Sequence, residues 1–214
     1  MALSSARREA RRSHIVAAAQ SLLRERGDAG FSMTELAARA QVSPATPYNL
    51  VGTKADLLRL VVQEEFASFT ARLATRKTDS PVRALLDATT LVVAHYEADP
   101  AFYRALYGMM FVADAPDVHD LMQTEGRALW RTMVRAAVDC GELAQVAGVE
   151  PLTDVILRTI GANTLAWLSE DWSRQRFEAE MSLSIRLMLA SVARADIRAA
   201  MLREIERLPA LLRA

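Results

Sequence analysis

The amino-acid sequence predicts an all-α protein. Apolar residues recur at helical spacing, as in Ile15, Ala19 and Leu22. The sequence has no strand-like alternation of apolar and polar residues, no internal repeat and no low-complexity tract. Capping and breaking signals such as Ser80-Pro81 divide the pattern into separate helices. With 214 residues, 51% of them apolar, the chain can hold a small helical head and a larger helical body.

A short helix is predicted over residues 33–40. Ser32 lies three residues before Glu35, the spacing at which each side chain can bond the other residue's backbone amide at a helix start. Leu36 and Ala40 then fall on one face of that helix.

A second short helix follows after a turn of about three residues. Ser43 is a favourable N-cap and Pro44 suits the first helical position, so we expect a helix over residues 44–50. Thr53 and Asp56 repeat the capping pattern and begin a longer helix. Two short helices joined in this way are typical of a helix-turn-helix.

The spacing across this segment resembles the DNA-binding signature of the tetracycline-repressor (TetR) family. The run Ala-x-Val-Ser-x-Ala-Thr-x-Tyr-x-x-x-x-Thr-Lys-x-x-Leu carries the resemblance, with Thr46, Tyr48, Lys54 and Leu57 at the family's positions. The match extends over about residues 12–60. It implies a three-helix head that binds DNA, followed by a helical body that binds an effector and forms a dimer.

Three departures from the family pattern predict local differences. Gln41 stands where the family often has glycine, so a positive φ there would be strained. Pro47 replaces a large apolar residue and is expected to distort a short helix. Leu50 and Val51 stand where an aromatic residue or histidine is followed by phenylalanine. The base preference of other members therefore does not transfer to this chain.

The resemblance also implies which residues meet DNA. Lys54, at a helix start, is suited to a phosphate, and Asn49 can pair with the N6 and N7 atoms of adenine. Pro44 or Ala45 can touch a thymine methyl group. The alternative interpretation of each residue is an ordinary exposed position on a helix. The predicted DNA-binding set is Thr34, Ser43, Pro44, Ala45, Thr46, Tyr48, Asn49, Thr53 and Lys54.

Charge is divided unevenly along a chain whose net charge is +0. Residues 1–60 carry nine basic and five acidic side chains, whereas residues 61–214 carry seventeen and twenty-one. We therefore assign residues 1–60 to DNA binding and residues 61–214 to effector binding and dimerisation. A first helix is predicted over residues 6–26. Its arginine cluster is expected on a frayed turn or flexible arm that follows phosphates or enters a minor groove, with a solvated tail as the alternative: Arg7, Arg8, Arg11 and Arg12.

The rest of the chain predicts a series of longer helices. The first continues from the head into the body, so tilting it would move the head. A break is expected at residues 114–117, before the fourth of them. The predicted helices cover residues 54–76, 81–98, 101–113, 118–140, 152–168, 174–195 and 196–208.

Two helices of the body, about residues 152–170 and 174–195, are too apolar to be covered by one small body. The resemblance implies that this pair packs against its symmetry mate, so a homodimer is expected. Aromatic and methionine side chains of the body are either core residues or the lining of an effector pocket, with His95 or Asn163 as a polar anchor. The predicted ligand-binding set is Tyr96, Phe102, Tyr103, Tyr107, Met110, Met122, Trp130, Met133, Asn163 and Trp167.

Enzymatic chemistry is not supported by the sequence. The histidines His14, His95 and His119 lie on different segments, without metal-ligand or nucleophile spacing, so neither catalytic residues nor a metal nor a cofactor is predicted. The single cysteine, Cys140, suits a reducing cytoplasm, and no apolar run approaches the length of a membrane span.

These observations predict a bacterial, homodimeric, ligand-responsive repressor that binds a pseudo-palindromic operator and is released by a small hydrophobic or aromatic effector. Three alternatives stay open. They are an activator of the same family, a helical protein-interaction module without specific DNA binding, and an all-helical enzyme that uses the body as its active site.

Overall fold

The structure, a computed structural model, describes residues 2–109, 116–146 and 148–208. These ranges contain ten helices, and the all-α fold predicted from the sequence is confirmed. None of the described helices is long and apolar enough to span a membrane. The helices are α1 (Ala2–Arg26), α2 (Met33–Arg39), α3 (Ala45–Val51), α4 (Lys54–Ala74), α5 (Pro81–Glu97), α6 (Pro100–Met109), α7 (Pro116–Asp139), α8 (Val149–Ser169), α9 (Arg174–Val192) and α10 (Ala195–Arg207).

Most helix ends agree with the prediction to within two or three residues, which is the usual uncertainty of such boundaries. Two differences, at the starts of α1 and α7, bear on the predictions made from the sequence. α1 begins at Ala2, so the arginine cluster lies in a regular helix and the prediction of a frayed turn or flexible arm is wrong. α7 begins at Pro116, inside the predicted break, because proline is favoured in the first helical turn. The earlier part of that break lies outside the described residues.

The chain divides into two compact units. The head unit comprises Met1–Ser68 and Asp99–Gln123, and the body unit comprises Phe69–Ala98 and Thr124–Ala214. α6 therefore belongs to the head unit, although it lies far along the sequence. The functional assignment of residues 1–60 and 61–214 stays a prediction.

The head unit is built around the apolar face of α1. Ile15 and Leu23 on this helix are fully buried, as are Leu36 on α2 and Leu57 on α4. α1 packs against α2, α3 and α6. The helical spacing that predicted this stripe therefore also identifies the residues that hold the head together.

Side-chain caps set the helix starts as the sequence predicted. The Oγ atom of Ser32 accepts from the Glu35 amide at 3.1 Å, and the Glu35 carboxylate accepts from the Ser32 amide at 2.7 Å. Ser80 caps α5 through the Arg83 amide, and Ser173 caps α9 in the same way. Each cap satisfies an amide that has no partner within its own helix.

α9 is the central helix of the body unit and packs against α5, α8 and α10. Its residues at successive helical turns are fully buried, and Phe177 stacks on Trp167 of α8 with ring centroids 4.7 Å apart. Arg186 of α9 forms an ion pair of 2.7 Å with Glu204, which ties α10 to the same helix.

Glu142 joins three parts of the body unit. Its carboxylate accepts from the Ser80 hydroxyl and from the Val82 amide, both at 2.8 Å, at the N-terminus of α5. Its backbone carbonyl accepts from the Arg194 amide at 2.9 Å, between α9 and α10. A carboxylate in this position favours the positive end of the α5 dipole and satisfies its free donors.

Candidate functional site

The turn between α2 and α3 has the geometry of a helix-turn-helix. Gln41 has a φ of 52°, so this non-glycine residue adopts the positive φ at which strain was expected. The turn is closed by backbone hydrogen bonds of Gln41 to Ala38 (3.1 Å) and of Val42 to Ala37 (3.0 Å). These bonds hold the two short helices in a fixed relation.

The start of α3 differs from the prediction by one residue. The N-cap is Pro44, in a helical conformation, and no side chain caps the helix. The predicted cap, Ser43, instead bonds the Thr46 hydroxyl at 2.8 Å, while its carbonyl accepts from the Thr46 amide at 2.9 Å. The turn thus begins with local side-chain bonding, an alternative open to serine and threonine near helix starts.

Pro47 does not break the second helix. It is the third residue of α3, and α3 runs as a continuous α-helix from Ala45 to Val51. The predicted distortion is therefore not found, because a residue in the first helical turn has no intrahelical partner for its N–H and proline loses nothing there. The Pro47 ring is buried, as the large apolar residue it replaces would be.

α3 presents one face to solvent. Ala45, Tyr48 and Asn49 lie on this face at helical spacing, and all three are exposed; Tyr48 is 57% exposed. Pro47 and Val51 form the buried face. A helix-turn-helix reads bases with the exposed side of its second helix, so the structure leaves the predicted contact face uncovered.

Other members of the predicted DNA-binding set lie close to α3 in the sequence and differ in their exposure and in their hydrogen-bond partners. Ser43, Pro44 and Thr34 are exposed, and Thr46 is half-buried. The Thr53 hydroxyl donates to Asp56 Oδ2 at 2.7 Å, and the Thr53 amide donates to the same atom at 2.9 Å, which confirms the predicted cap of α4.

Lys54 is bonded within the head. Its ammonium donates to the Ala29 carbonyl and lies 4.9 Å from the centre of the Phe31 ring. Burial lowers the pKa of Lys54. The side chain therefore braces the loop before α2, while its predicted contact with phosphate stays a prediction. No signal in the sequence indicated that Lys54 would lie against Phe31.

Four of the predicted effector residues that the structure describes lie in the head unit. Phe102, Tyr103 and Tyr107 are buried, Met122 is half-buried, and Met110 lies outside the described residues. The Tyr103 hydroxyl donates to the Glu65 carboxylate at 2.8 Å, and burial together with the Glu65 charge raises the pKa of that hydroxyl. Tyr103 thus links α6 to α4 inside the head.

The other predicted effector residues lie in the body unit. Trp130 and Trp167 are buried, whereas Tyr96 and Met133 are half-buried. The Asn163 amide donates to the Thr159 carbonyl of its own helix at 2.9 Å. These positions suit core residues and effector contacts equally, so the ligand-binding role stays a prediction.

His95, considered as a polar anchor for an effector, is buried in the body unit. Its Nδ1 atom lies 2.7 Å from Nη1 of Arg72, and the ring packs edge-on against Phe69. Among side chains with described positions, no group of three histidine, cysteine, aspartate or glutamate residues converges as a metal site.

A comparison with protein families matches this head. The model of bacterial regulatory proteins of the tetR family matches residues 15–61, which span the C-terminal half of α1, the helix-turn-helix and the start of α4. Residues 15–61 therefore have the sequence of a TetR-type DNA-binding head. The resemblance stated from the sequence is therefore confirmed for the DNA-binding head, and no curated protein gives a significant match beyond it.

Solved structures of other proteins share the fold over most of the chain. RolR in complex with resorcinol is 20% identical, with a TM-score of 0.67 over 92% of this chain and 95% of that one. TylP, a TetR regulator from Streptomyces fradiae, is 21% identical, with a TM-score of 0.70 over 98% and 91%. SmeT, the repressor of a multidrug efflux pump of Stenotrophomonas maltophilia, is 18% identical, with a TM-score of 0.71 over 87% and 92%. These likenesses establish the fold of the chain.

Ion pairs join α1 to α2 within the head. Arg39 forms a two-point pair with the Glu25 carboxylate and so lowers the pKa of that carboxyl. Arg26 pairs with Glu35 at 3.2 Å. These arginines serve the head itself, so its excess positive charge must come from other side chains.

Proposed function

We propose that this chain is a TetR-family transcriptional repressor that binds a pseudo-palindromic operator as a homodimer in the bacterial cytoplasm. The exposed face of α3 is the observation that carries the proposal. Its small, aromatic and amide side chains stand at helical spacing on the second helix of a helix-turn-helix, and nothing in the described part of the head covers them.

Each exposed residue of α3 has a separate task in this proposal. Asn49 pairs with adenine in the major groove through its amide. Tyr48 donates its hydroxyl to a backbone phosphate, and Ala45 contacts a thymine methyl group. Thr34 and Thr53 lie at the starts of α2 and α4 and contact phosphates, with Lys54 beside them as a further predicted contact. Base contacts specify the operator, whereas phosphate contacts fix the register of the head on the duplex.

Homodimerisation is supported by an exposed apolar stripe on α8 and α9. Val155 and Leu165 of α8 are 41% and 42% exposed, and Leu187 of α9 is 52% exposed. On α8 the exposed residues between them, Arg158 and Ala162, keep alternating spacings of three and four. Such a stripe packs well against a second helix pair, so we propose that the two copies meet along α8 and α9.

A small hydrophobic or aromatic molecule is the proposed effector. RolR was solved with resorcinol, a small aromatic compound, and SmeT is a repressor, which supports both parts of the proposal by analogy of fold. Effector binding would shift α4, which begins in the head unit and ends in the body unit. Operator and effector then oppose each other with a reciprocal coupling energy of about 1–3 kcal/mol.

The first test is the effect of α3 substitutions on operator binding. Asn49→Ala should weaken binding to the selected operator by about 1–3 kcal/mol and relax the preference at one base pair. Gln175→Ala, an exposed amide on α9, is the matched control and should leave binding unchanged. Fluorescence anisotropy with labelled duplexes measures both.

The alternatives predict different results. If Asn49→Ala and Tyr48→Ala both bind DNA like the unaltered protein while remaining folded, the head binds a protein partner instead. If a reporter gene behind the operator is switched on by the protein, the regulator is an activator. We propose no catalytic activity for the body.

A further inference from the structure

The N-terminal part of α1 carries a basic row that the helix-turn-helix does not use. Arg7, Arg8 and Arg11 lie in a regular helix and are exposed. None of the three forms an ion pair with a described residue. Arg12 differs from these three arginines, because its Nη1 atom lies 3.9 Å from Oε2 of Glu9. Its charge also acts on Glu64 of α4, where it opposes the rise in the Glu64 pKa that burial causes.

This row continues the stripe by which α1 packs into the head. Arg8 lies seven residues before Ile15, and Arg11 lies seven residues before Ala18, so each arginine shares a helix face with a buried apolar residue two turns later. On this face of α1, the buried apolar residues are therefore followed, towards the N-terminus, by arginines. The arginines therefore point to the side of α1 on which the other helices of the head are packed.

A direct contact places this row beside the reading head. Nε2 of His14 lies 3.0 Å from the carbonyl oxygen of Ala40, which is the C-cap of α2 at the turn of the helix-turn-helix. Arg7 and Arg11 share a helix face with His14, at seven and three residues before it. The basic row thus begins where α1 meets the turn and extends away from it along the helix.

The helical form of this segment decides which part of DNA it can meet. A helix with its side chains is about 10–12 Å across, whereas the minor groove of B-DNA is about 6 Å wide. The row therefore cannot lie in a minor groove as an extended arm would. Guanidinium groups on a helix beside the groove suit phosphate oxygens, to which arginine can donate two hydrogen bonds.

We propose that the N-terminal part of α1 is a second DNA-contact element, in which Arg7, Arg8 and Arg11 bind backbone phosphates flanking each half-site. The row is adjacent to the helix-turn-helix, complementary in charge to the duplex, and held in place by the contact of His14 with Ala40. It adds affinity without reading sequence. This inference rests on the proposed function, because it needs the helix-turn-helix to be seated on DNA.

The test is the salt dependence of DNA binding by the full-length triple variant R7Q/R8Q/R11Q. The probes are a duplex with the operator selected by the unaltered protein and a random-sequence duplex, each measured at several salt concentrations. The slope of log affinity against log salt should fall in magnitude by about 0.9 for each phosphate that the variant dimer no longer neutralises. The ranking of operator sequences should stay the same, because no base contact is removed.

Two controls separate DNA contact from general charge and from folding. The variant R174Q/R203Q/R207Q removes three exposed arginines from α9 and α10, so it changes net charge equally and should keep the full slope. Arg12→Gln removes an arginine that is paired within the head and should also keep the slope. Circular dichroism confirms that each variant is folded.

Flanking DNA provides an independent readout. Operator duplexes that extend about ten base pairs, one helical turn, beyond each half-site should distinguish the triple variant from the unaltered protein. Duplexes trimmed to the half-sites should not. An unchanged salt slope in R7Q/R8Q/R11Q, or a changed base preference, would overturn the phosphate contacts while leaving the proposed function standing. Failure of the unaltered protein to bind either probe would overturn both.

Discussion

Replacing Gln41 with glycine should stabilise the protein by about 0.5–1 kcal/mol. The φ of 52° places Gln41 in the left-handed region, which costs an L-residue with a Cβ atom roughly 1–2 kcal/mol. Glycine removes that cost, but it loses about 0.5–1 kcal/mol more backbone entropy on folding. The Gln41 side chain is exposed, so its removal leaves no cavity, and the backbone bond from Gln41 to the Ala38 carbonyl is retained.

Urea and thermal denaturation, followed by circular dichroism at one fixed protein concentration, measure this effect. The gain corresponds to a rise in melting temperature of roughly 1–4 °C for a chain of this size. Gln41→Ala is the matched control, because it removes the same side chain but keeps the Cβ atom and should change stability little. A glycine variant less stable than the alanine variant would refute the explanation of the turn by backbone strain.

Three further predictions follow from named contacts. Glu142→Ala should lower the free energy of unfolding by about 2–3 kcal/mol, because it leaves the Ser80 hydroxyl and the Val82 amide without their charged acceptor. Glu142→Gln should lower the free energy of unfolding by less. Equal decreases for the two variants in urea denaturation would show that the charge is irrelevant. Glu35 has its pKa lowered from 4.5 by hydrogen bonds from Ser32, so its stabilising effect is complete above that value and is lost as the pH falls through the lowered pKa. Acid unfolding of Glu35→Gln should therefore start from lower stability but depend less on pH below 4.5, and an unchanged acid profile would contradict the cap. Leu187→Glu should yield a folded monomer in analytical ultracentrifugation, whereas a dimer of unchanged strength would exclude α9 from the proposed interface.

Local signals in the sequence predicted most of the helical architecture. Ser32 and Glu35, Ser80, and Ser173 each cap the helix that was expected, because a cap depends on residues only three positions apart. The strain expected at Gln41 for a positive φ is also local, because it depends on the backbone conformation of one residue. These interactions need no knowledge of distant packing.

The position of Pro47 shows where a local rule misled. Proline inside a helix removes a hydrogen bond, and the expected helix started early enough to place Pro47 near its middle. The helix begins at Ala45, and a shift of one residue puts Pro47 in the first turn, where proline removes no hydrogen bond. Helix boundaries are the least certain part of a sequence-based prediction, and this consequence depended on one.

Long-range pairing could not be predicted. Lys54 donates to the Ala29 carbonyl, and Tyr103 donates to Glu65, across sequence separations of 25 and 38 residues. Lys54, which was predicted to contact phosphate, and Tyr103, which was predicted to contact an effector, therefore both have hydrogen-bond partners within the fold. Sequence spacing identifies the face of a helix on which a residue lies, but it does not identify what lies opposite.

Selection of genomic fragments by the purified protein tests whether a dimer of this chain binds DNA sequence-specifically. Sequencing of the retained fragments at near-physiological salt should show an enriched pseudo-palindrome, with half-site centres about one helical turn of DNA, or a multiple of it, apart. Its flanking genes would then indicate candidate effectors. Recovery of fragments without an enriched motif, both with and without candidate effectors, would contradict the proposed regulator and favour a protein partner for the exposed face of α3.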